Sequence, residues 1–209
     1  VSKEKLAQKA CEIEIDRLKN PIGKQDQYAA AYGGLNFYQF NKDGSVFVEP
    51  VIMKNDMYKQ LENNLMMFYT GQLHSASEIL KEQSTNITAG DKENNQLKMC
   101  EITKELRNEL HHNNIDAMGE ILHEGWMLKK TLANGISNPK IDECYDIAMK
   151  HGAIGGKLLG AGGGGFLLFY VPEKRQQEVR LALPLTEMPF TFDTQGSAVI
   201  YVGTKPDIF

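Results

Sequence analysis

A glycine-rich stretch at 152–165 constrains the fold of this chain more than any other feature of its sequence. Its densest part, Gly160 to Gly165, contains only one residue with a side chain, Ala161. Glycine lets the backbone turn sharply and approach a ligand closely, with amide N–H groups free to bind an anion. A flexible linker is the alternative, but such linkers are usually rich in serine. Apolar segments flank this stretch on both sides, which favours a structured functional loop.

Two well-known nucleotide-binding motifs do not fit this loop. Gly160, Gly162 and Gly165 match the spacing GxGxxG, but a dinucleotide fingerprint follows a strand and opens a helix. Here the predicted order is reversed. A Walker motif would need a glycine at His151 and a serine or threonine at Leu158. The residues of the loop alone therefore give only a weak indication of an anion site.

The composition is that of an ordinary globular protein and argues against several classes of function. Of 209 residues, 42% are hydrophobic and 24% are charged, and the net charge is -4. Basic residues are scattered, so we expect no nucleic-acid partner. No apolar run suits a membrane span and no signal peptide is apparent, so we expect a cytoplasmic protein without a membrane partner. Cys11, Cys100 and Cys144 are far apart, which predicts reduced, buried thiols.

Hydrophobic periodicity predicts helices and strands in an α+β succession. Ser2 is a candidate N-cap for a first helix, which ends before Pro21. The predicted helices are 1–19, 26–32, 75–83, 96–110, 115–132, 139–150 and 173–183. The predicted strands are 35–40, 45–51, 64–69, 166–171, 190–193 and 198–202. The polar segment 86–95 is predicted to be a loop.

Two carboxylates, Glu14 and Asp26, stand out because of their surroundings. Glu14 interrupts the apolar face of the first predicted helix, and Asp26 precedes the small-residue run Ala29 to Ala31. Carboxylates at one pocket could divide the work, one holding Mg²⁺ and the other accepting a hydroxyl proton. The spacing also allows structural roles, with Asp26 as a helix cap and Glu14 in a salt bridge. Structural pairs are common, so spacing alone favours the structural roles.

Three stretches together resemble the GHMP superfamily of sugar kinases. The segment Ile22 to Gly34 resembles the one that carries the family's catalytic aspartate, and galactokinases have a similar Gly-x-x-Asp-Gln run. The segment Lys157 to Phe166 resembles the third family motif, a glycine-rich loop beside the active site. Residues 126–130 and 136–142 are most similar to D-glycero-D-manno-heptose phosphate kinases. The resemblance spans essentially the whole chain.

The resemblance implies a role for each matching residue. It makes Asp26 the catalytic base and Glu14 the magnesium-binding glutamate, in a register one residue different from that of mevalonate kinases. ATP and Mg²⁺ are therefore the implied cofactors. The implied nucleotide-binding residues are Lys157, Gly160, Ala161, Gly162, Gly163 and Gly164, and the implied sugar-binding residues are Gln25, Gln27, Gly33 and Gly34.

The resemblance also implies the fold class and the division into domains. The expected fold is α+β and GHMP kinase-like, with a remnant of a ribosomal S5 domain 2-like N-terminal domain at 1–51. A ferredoxin-like C-terminal domain is expected at 52–209. The family's second motif, Pro-x-x-x-Gly-Leu-Gly-Ser-Ser, cradles the nucleotide phosphates. That string does not occur here, and its expected place is shortly before Val1.

The implied reaction moves the γ-phosphoryl group of ATP to the anomeric hydroxyl of D-glycero-D-manno-heptose 7-phosphate. Galactose and fucose are alternative acceptors, because residues 70–74 stand where heptose kinases are expected to have an arginine. The expected partners are ATP and a sugar or sugar phosphate. A third alternative is a non-catalytic fragment that only binds ligands or forms a homodimer.

Overall fold

The computed structural model describes residues 1–71, 76–88 and 92–200. The helices are α1 Lys3–Cys11, α2 Gln25–Tyr32, α3 Asn55–Asn63, α4 Ala76–Thr88, α5 Glu93–His111, α6 Ala117–Lys129, α7 Pro139–Lys150 and α8 Glu173–Ala182. The strands are β1 Asn36–Phe40, β2 Val46–Pro50, β3 Leu65–Tyr69, β4 Gly155–Leu158, β5 Phe166–Tyr170 and β6 Thr186–Glu187. The chain divides into two compact units, one formed by 1–50 with the segment from 192 onward, the other by 51–191.

The first unit is built on the packing of α1 against α2. The hydroxyl of Ser2 accepts a hydrogen bond from the amide of Lys5 at 3.2 Å, which confirms the predicted N-cap. Ala7 and Ala31 are both buried, and their small side chains let the two helices approach closely. The antiparallel hairpin β1–β2 adds Tyr38 to this core, where its ring meets that of Tyr28 edge-on at 6.5 Å.

The segment 192–197 packs on the C-terminal end of α2. The amide of Gly34 donates to the carbonyl of Asp193 at 2.6 Å, and the amide of Ser197 donates to that of Ala30 at 2.9 Å. A Cβ on Gly33 would lie 2.1 Å from the amide nitrogen of Gly196, so the close approach requires glycine there. These contacts group the segment with the first unit, whereas the sequence assigned it to the C-terminal domain.

The second unit contains an antiparallel sheet in the order β4-β5-β3-β6. With β3 as its first strand, this is the strand order of the ferredoxin-like arrangement that the family resemblance implied. Alternate residues of the strands enter the core: Met66 and Phe68 from β3 pair with Phe169 and Leu167 from β5. Trp126 of α6 is fully buried in the same core, as its helical spacing predicted.

The strand β4 is held by its glycines and by a buried tyrosine. A Cβ on Gly155 would lie 1.9 Å from the carbonyl oxygen of Gly119, so α6 packs against this strand at a distance that only glycine permits. The hydroxyl of Tyr145 lies 3.3 Å from the carbonyl of Gly156 and 2.8 Å from Nδ1 of His123. These contacts fix the strand that leads into the glycine-rich loop.

Several predicted elements were wrong or misplaced. The polar segment 86–95 is largely helical, because α4 continues to Thr88 and α5 begins at Glu93. The closing strands predicted at 190–193 and 198–202 do not form within the described part, which ends at residue 200. The strand that closes the sheet is instead β6, which pairs with β3. The predicted helix start at residue 75 lies outside the described residues.

Candidate active site

A cavity of about 500 Å³ in the first unit brings three residues of the predicted site together. Glu14, Asp26 and Gln27 all line it. The other residues of its wall are Leu6, Ala10, Ile22, Ala30, Ala31 and Ser197. Carboxylates and an amide therefore face the same space within an otherwise mainly apolar wall.

Glu14 lies in a π-helical turn, Glu12–Arg17, which follows α1 directly. The widened turn is shown by the amide of Leu18, which donates to the carbonyl of Ile13 at 3.0 Å. Such turns are rare and frequently occur at functional sites, because they change where side chains point. The sequence shows the polar residue on the apolar face but not the change in helical pitch.

Glu12, rather than Glu14, forms the structural salt bridges that the sequence allowed for Glu14. Glu12 pairs with Lys9 at 2.6 Å and with Arg17 at 2.5 Å, and these hydrogen bonds lower the pKa of its carboxyl. Glu14 has no ion-pair partner in the described ranges 1–71, 76–88 and 92–200. A partly buried carboxylate without a cationic partner suits a hard cation such as Mg²⁺.

Asp26 lies in the first turn of α2, where a negative charge is favoured by the helix dipole. The capping position is occupied by Lys24, and no side chain caps the helix there. The structural alternative for Asp26, a helix cap, is therefore not what the structure shows. Its side chain is exposed and lies at the wall of the cavity.

Gln27 is buried, with 7% of its surface exposed. Its Oε1 atom has no hydrogen-bond donor within the part of the chain that the structure describes. A buried acceptor without a donor costs about 1–3 kcal/mol, so it is expected to have a partner in the functional state.

The other predicted sugar-binding residues are not in the cavity wall that the described residues form. Gln25 is exposed at the start of α2. Gly33 and Gly34 both contact the segment 192–197, but close backbone approach explains only Gly33. At Gly34 the φ angle of +74° favours glycine, and a Cβ there would meet nothing within 4 Å. Their role toward a sugar remains a prediction.

The glycine-rich loop of the second unit connects β4 to β5 and is tied down at both ends. At its base the amide of Leu159 donates to the carbonyl of Phe166 at 2.8 Å. The buried Thr70 accepts from the amide of Gly165 and donates to its carbonyl, both at 3.0 Å. The amide of Gly163 donates to the carbonyl of Ile136 at 3.0 Å. The loop is therefore a structured one rather than a linker.

Four amides of this loop are without an acceptor among the residues that the structure describes. They belong to Gly160, Ala161, Gly162 and Gly164. Positive φ angles occur at Gly160, Gly162, Gly163 and Gly165. Successive N–H groups in turns that alternate between right- and left-handed conformations can form a concavity that binds an anion.

Sequence reasoning missed Lys129 at the end of α6. Its Nζ donates to the carbonyl of Gly160 at 2.5 Å. Burial lowers the pKa of Lys129 to about 8, and the charge of Lys157 contributes in the same direction. Burial also lowers the pKa of Lys157. Residues 126–130 carried part of the resemblance, but no spacing in the sequence connects Lys129 with the loop.

Asn138 was missed as well. Its side chain caps α7 by accepting from the amide of Ile141 at 3.1 Å, and its Nδ2 donates to the carbonyl of Gly163 at 3.4 Å. One side chain thus connects the start of a helix with the glycine-rich loop. An Asn-Pro pair before an apolar helix is a cap signal in sequence, but the second contact is not visible there.

The remaining predictions about single residues have mixed outcomes. Cys11 and Cys144 are buried as predicted, but Cys100 is exposed, because it lies on the outer side of α5.

Among the described residues, no cluster of three metal-binding side chains occurs, and no helix has the length and apolar character needed to cross a membrane. Residues 72–74, part of the segment where an arginine was expected, lie outside the described residues.

Comparison with known proteins shows which family and which proteins this chain is similar to. Residues 105–186 match the family described as GHMP kinases C terminal. The chain is 30% identical over 198 residues to a D-glycero-alpha-D-manno-heptose 7-phosphate kinase of Campylobacter jejuni, covering 91% of this chain and 57% of that protein. It is 29% identical over 169 residues to a bifunctional fucokinase/GDP-fucose pyrophosphorylase of Arabidopsis thaliana, covering 77% of this chain and 16% of that protein.

A solved structure shows the same fold. The crystal structure of a D-glycero-D-manno-heptose 1-phosphate kinase from Bacteroides thetaiotaomicron superimposes with a TM-score of 0.64 at 29% identity. The match covers 94% of this chain and 54% of that one. The chain thus spans little more than half the length of the heptose phosphate kinases that it matches.

Proposed function

We propose, on the premise that residues 105–186 of this chain belong to the GHMP kinase C-terminal family, that the chain acts as a sugar kinase. The proposed reaction transfers the γ-phosphoryl group of ATP to the anomeric hydroxyl of D-glycero-D-manno-heptose 7-phosphate. The proposal is supported by the similarity to heptose phosphate kinases. It is also supported by the cavity that contains Glu14, Asp26 and Gln27 and by the glycine-rich loop. The proposed compartment is the cytoplasm.

The observation that carries the proposal is the shared cavity of Glu14, Asp26 and Gln27. Asp26 is exposed to the cavity and would accept or orient the proton of the attacking hydroxyl. The unpartnered Oε1 of Gln27 would accept a hydrogen bond from a second hydroxyl and so hold the sugar in register.

Glu14 would hold Mg²⁺, since its carboxylate has no ion-pair partner among the described residues. Mg²⁺ is usually bound by one or two carboxylates and the substrate phosphates, so a single glutamate is sufficient from the protein. When bound, the ion offsets the negative charge of the phosphates.

The free amides of Gly160, Ala161, Gly162 and Gly164 would bind phosphoryl oxygens, with Lys157 as a nearby cation. In phosphoryl transfer, catalysis comes mainly from positioning and from electrostatic stabilisation. A loop whose shape is fixed by Thr70, Ile136 and Asn138 meets that requirement, because it does not have to reorganise on binding.

The test is Asp26→Asn in this chain, measured by ADP release with Mg²⁺-ATP and heptose 7-phosphate. We expect kcat to fall by about 100-fold or more, typical of a lost general base. Asp16→Asn is the matched control, because Asp16 is an exposed carboxylate of the same unit and is not in the cavity wall. Turnover by Asp26→Asn equal to that of the control would contradict the proposal.

A second candidate is a kinase for another sugar, which the similarity to the fucokinase-containing protein of Arabidopsis thaliana favours. The same assay with galactose, fucose and heptose 7-phosphate distinguishes the candidates by their kcat/KM. A third candidate is a fragment that only binds ligands or forms a homodimer. Absence of turnover with all three acceptors, with folding intact, would support that candidate.

A further inference from the structure

Lys129 and Lys157 bring two positive charges to the start of the glycine-rich loop. Lys129 ends α6 and donates to the carbonyl of Gly160, the first residue of the loop. Lys157 lies in β4, two residues after Gly155. A Cβ added to Gly155 would point at α6, where it would meet the carbonyl of Gly119. Side chains two apart in a strand share a face, so Lys157 also points toward α6.

Within the part of the chain that the structure describes, no salt bridge neutralises this lysine pair. Neither Lys129 nor Lys157 forms a salt bridge with a described carboxylate, whereas the adjacent Lys130 pairs with Asp142 at 3.2 Å. Partly buried cations are costly unless they are paired. The mutual repulsion and the burial of the two ammonium groups both act to lower the pKa of Lys129. An anion placed between them would remove this cost.

The loop supplies matching donors at the same place. The amide of Gly160 and those of three further loop residues have no acceptor in the described part of the chain. The carbonyl of Gly160 occupies one of the donors of Lys129, but an ammonium group has three N–H donors. The cluster therefore has spare donors and uncompensated positive charge, which is the complement of a multiply charged oxyanion.

We propose that Lys129 is a phosphate-binding residue, which holds a phosphoryl oxygen together with Lys157 and the free amides of the loop. The identification of that phosphoryl group with a nucleotide rests on the proposed function. The anion chemistry itself does not, since it follows from the charges and donors of the second unit. A purely structural role, in which Lys129 only fixes the loop through Gly160, is the alternative.

The experiment is calorimetric titration of the full chain with inorganic tripolyphosphate at neutral pH and low salt. Lys129→Gln should weaken binding by about tenfold or more, as expected for a charge-assisted hydrogen bond. Lys130→Gln is the matched control, since Lys130 is the next residue and is already paired, and it should change the affinity by less than about twofold. Equal affinities for the two variants, or no binding by the unsubstituted chain, would overturn the proposal.

Chemical labelling tests the same point without a substitution. Acetylation of Lys129 by dilute acetic anhydride, followed by mass spectrometry, should slow by about fivefold or more when saturating tripolyphosphate is present. Acetylation of Lys130 should be unaffected, and equal slowing of both lysines would refute a specific site. Lysine-dependent binding by a chain without kinase turnover would uphold this inference while the proposed function fails. Kinase turnover that is insensitive to Lys129→Gln would uphold the proposed function and contradict the phosphate-binding role of Lys129.

Discussion

Gly162 is the residue of the loop at which an added methyl group should be most damaging. Its φ angle is +129°, and a Cβ would lie 2.6 Å from Cα and 2.9 Å from the carbonyl oxygen of Ile136. A sparsely populated backbone conformation costs about 1–3 kcal/mol, and forced overpacking against fixed backbone costs about 1–3 kcal/mol more. We therefore expect Gly162→Ala to lower the free energy of unfolding by about 2–6 kcal/mol, because the buried contact cannot relax.

Gly160→Ala provides a comparison in which the added Cβ makes no such contact. Gly160 also has a positive φ, +77°, but a Cβ there would meet nothing within 4 Å. This variant should cost only the backbone strain, about 1–2 kcal/mol. The effect of alanine on the entropy of the unfolded chain is the same in both variants and cancels in the comparison.

Urea unfolding followed by tryptophan fluorescence measures both variants. Trp126 is the single tryptophan of the chain and is buried in the second unit, so its emission reports on the unit that contains the loop. Gly162→Ala should unfold at a clearly lower urea concentration than Gly160→Ala, with a similar slope. Equal midpoints would show that the contact of the loop with Ile136 is not rigid, and would remove the argument that the loop is preorganised.

Substitutions of Lys129 and Asn138 should also change the free energy of unfolding, which the same tryptophan fluorescence measures. Lys129 binds its proton less tightly in the folded chain, with a pKa of about 8 against 10.5, so the unfolded state holds more protons between these values and stability rises with pH there. Lys129→Met should therefore be more stable than the parent below pH 8, because it removes a charge that is disfavoured by burial and, to a lesser extent, by Lys157. This advantage should shrink as the pH rises toward 10.5, and an advantage that grows with pH would contradict the argument. Asn138→Ala should cost about 1 kcal/mol by loss of the cap to Ile141, whereas Asn138→Asp should retain most of it; equal losses would assign the effect to the contact with the loop.

Long, strongly periodic segments were predictable from sequence, because their hydrophobic faces are the ones that the core buries. The helix at 139–150 was predicted with both ends correct, since a proline follows an asparagine cap at its start. The strand β4 was missed because two of its four residues are glycine, which has a low strand propensity. Its formation depends on tertiary packing, namely the close approach of α6 to Gly155.

Residues of the candidate site were predicted from sequence only where the resemblance named them. Glu14 and Asp26 were singled out by sequence, yet their spacing favoured structural roles, and only the structure shows Glu12 in the salt bridges and Lys24 at the cap position. Lys129 was not predictable, because its contact with Gly160 joins residues far apart in the chain. Such contacts depend on how α6 packs against the sheet, which no local pattern encodes.

The distribution of unfavourable local features argues for function rather than chance. A π-helical turn holds Glu14, an unpartnered amide oxygen is buried at Gln27, and two lysines without described acidic partners meet at the glycine-rich loop. Each of these lowers stability, and natural sequences tolerate such departures mainly where a site requires them. Among the described residues, Nε1 of Trp126 and Nε of Arg175 are also buried without a partner, which shows that the association is not complete. Since the other departures fall on residues that the family resemblance had already selected, or directly against them, a purely structural origin would require an independent cause for each.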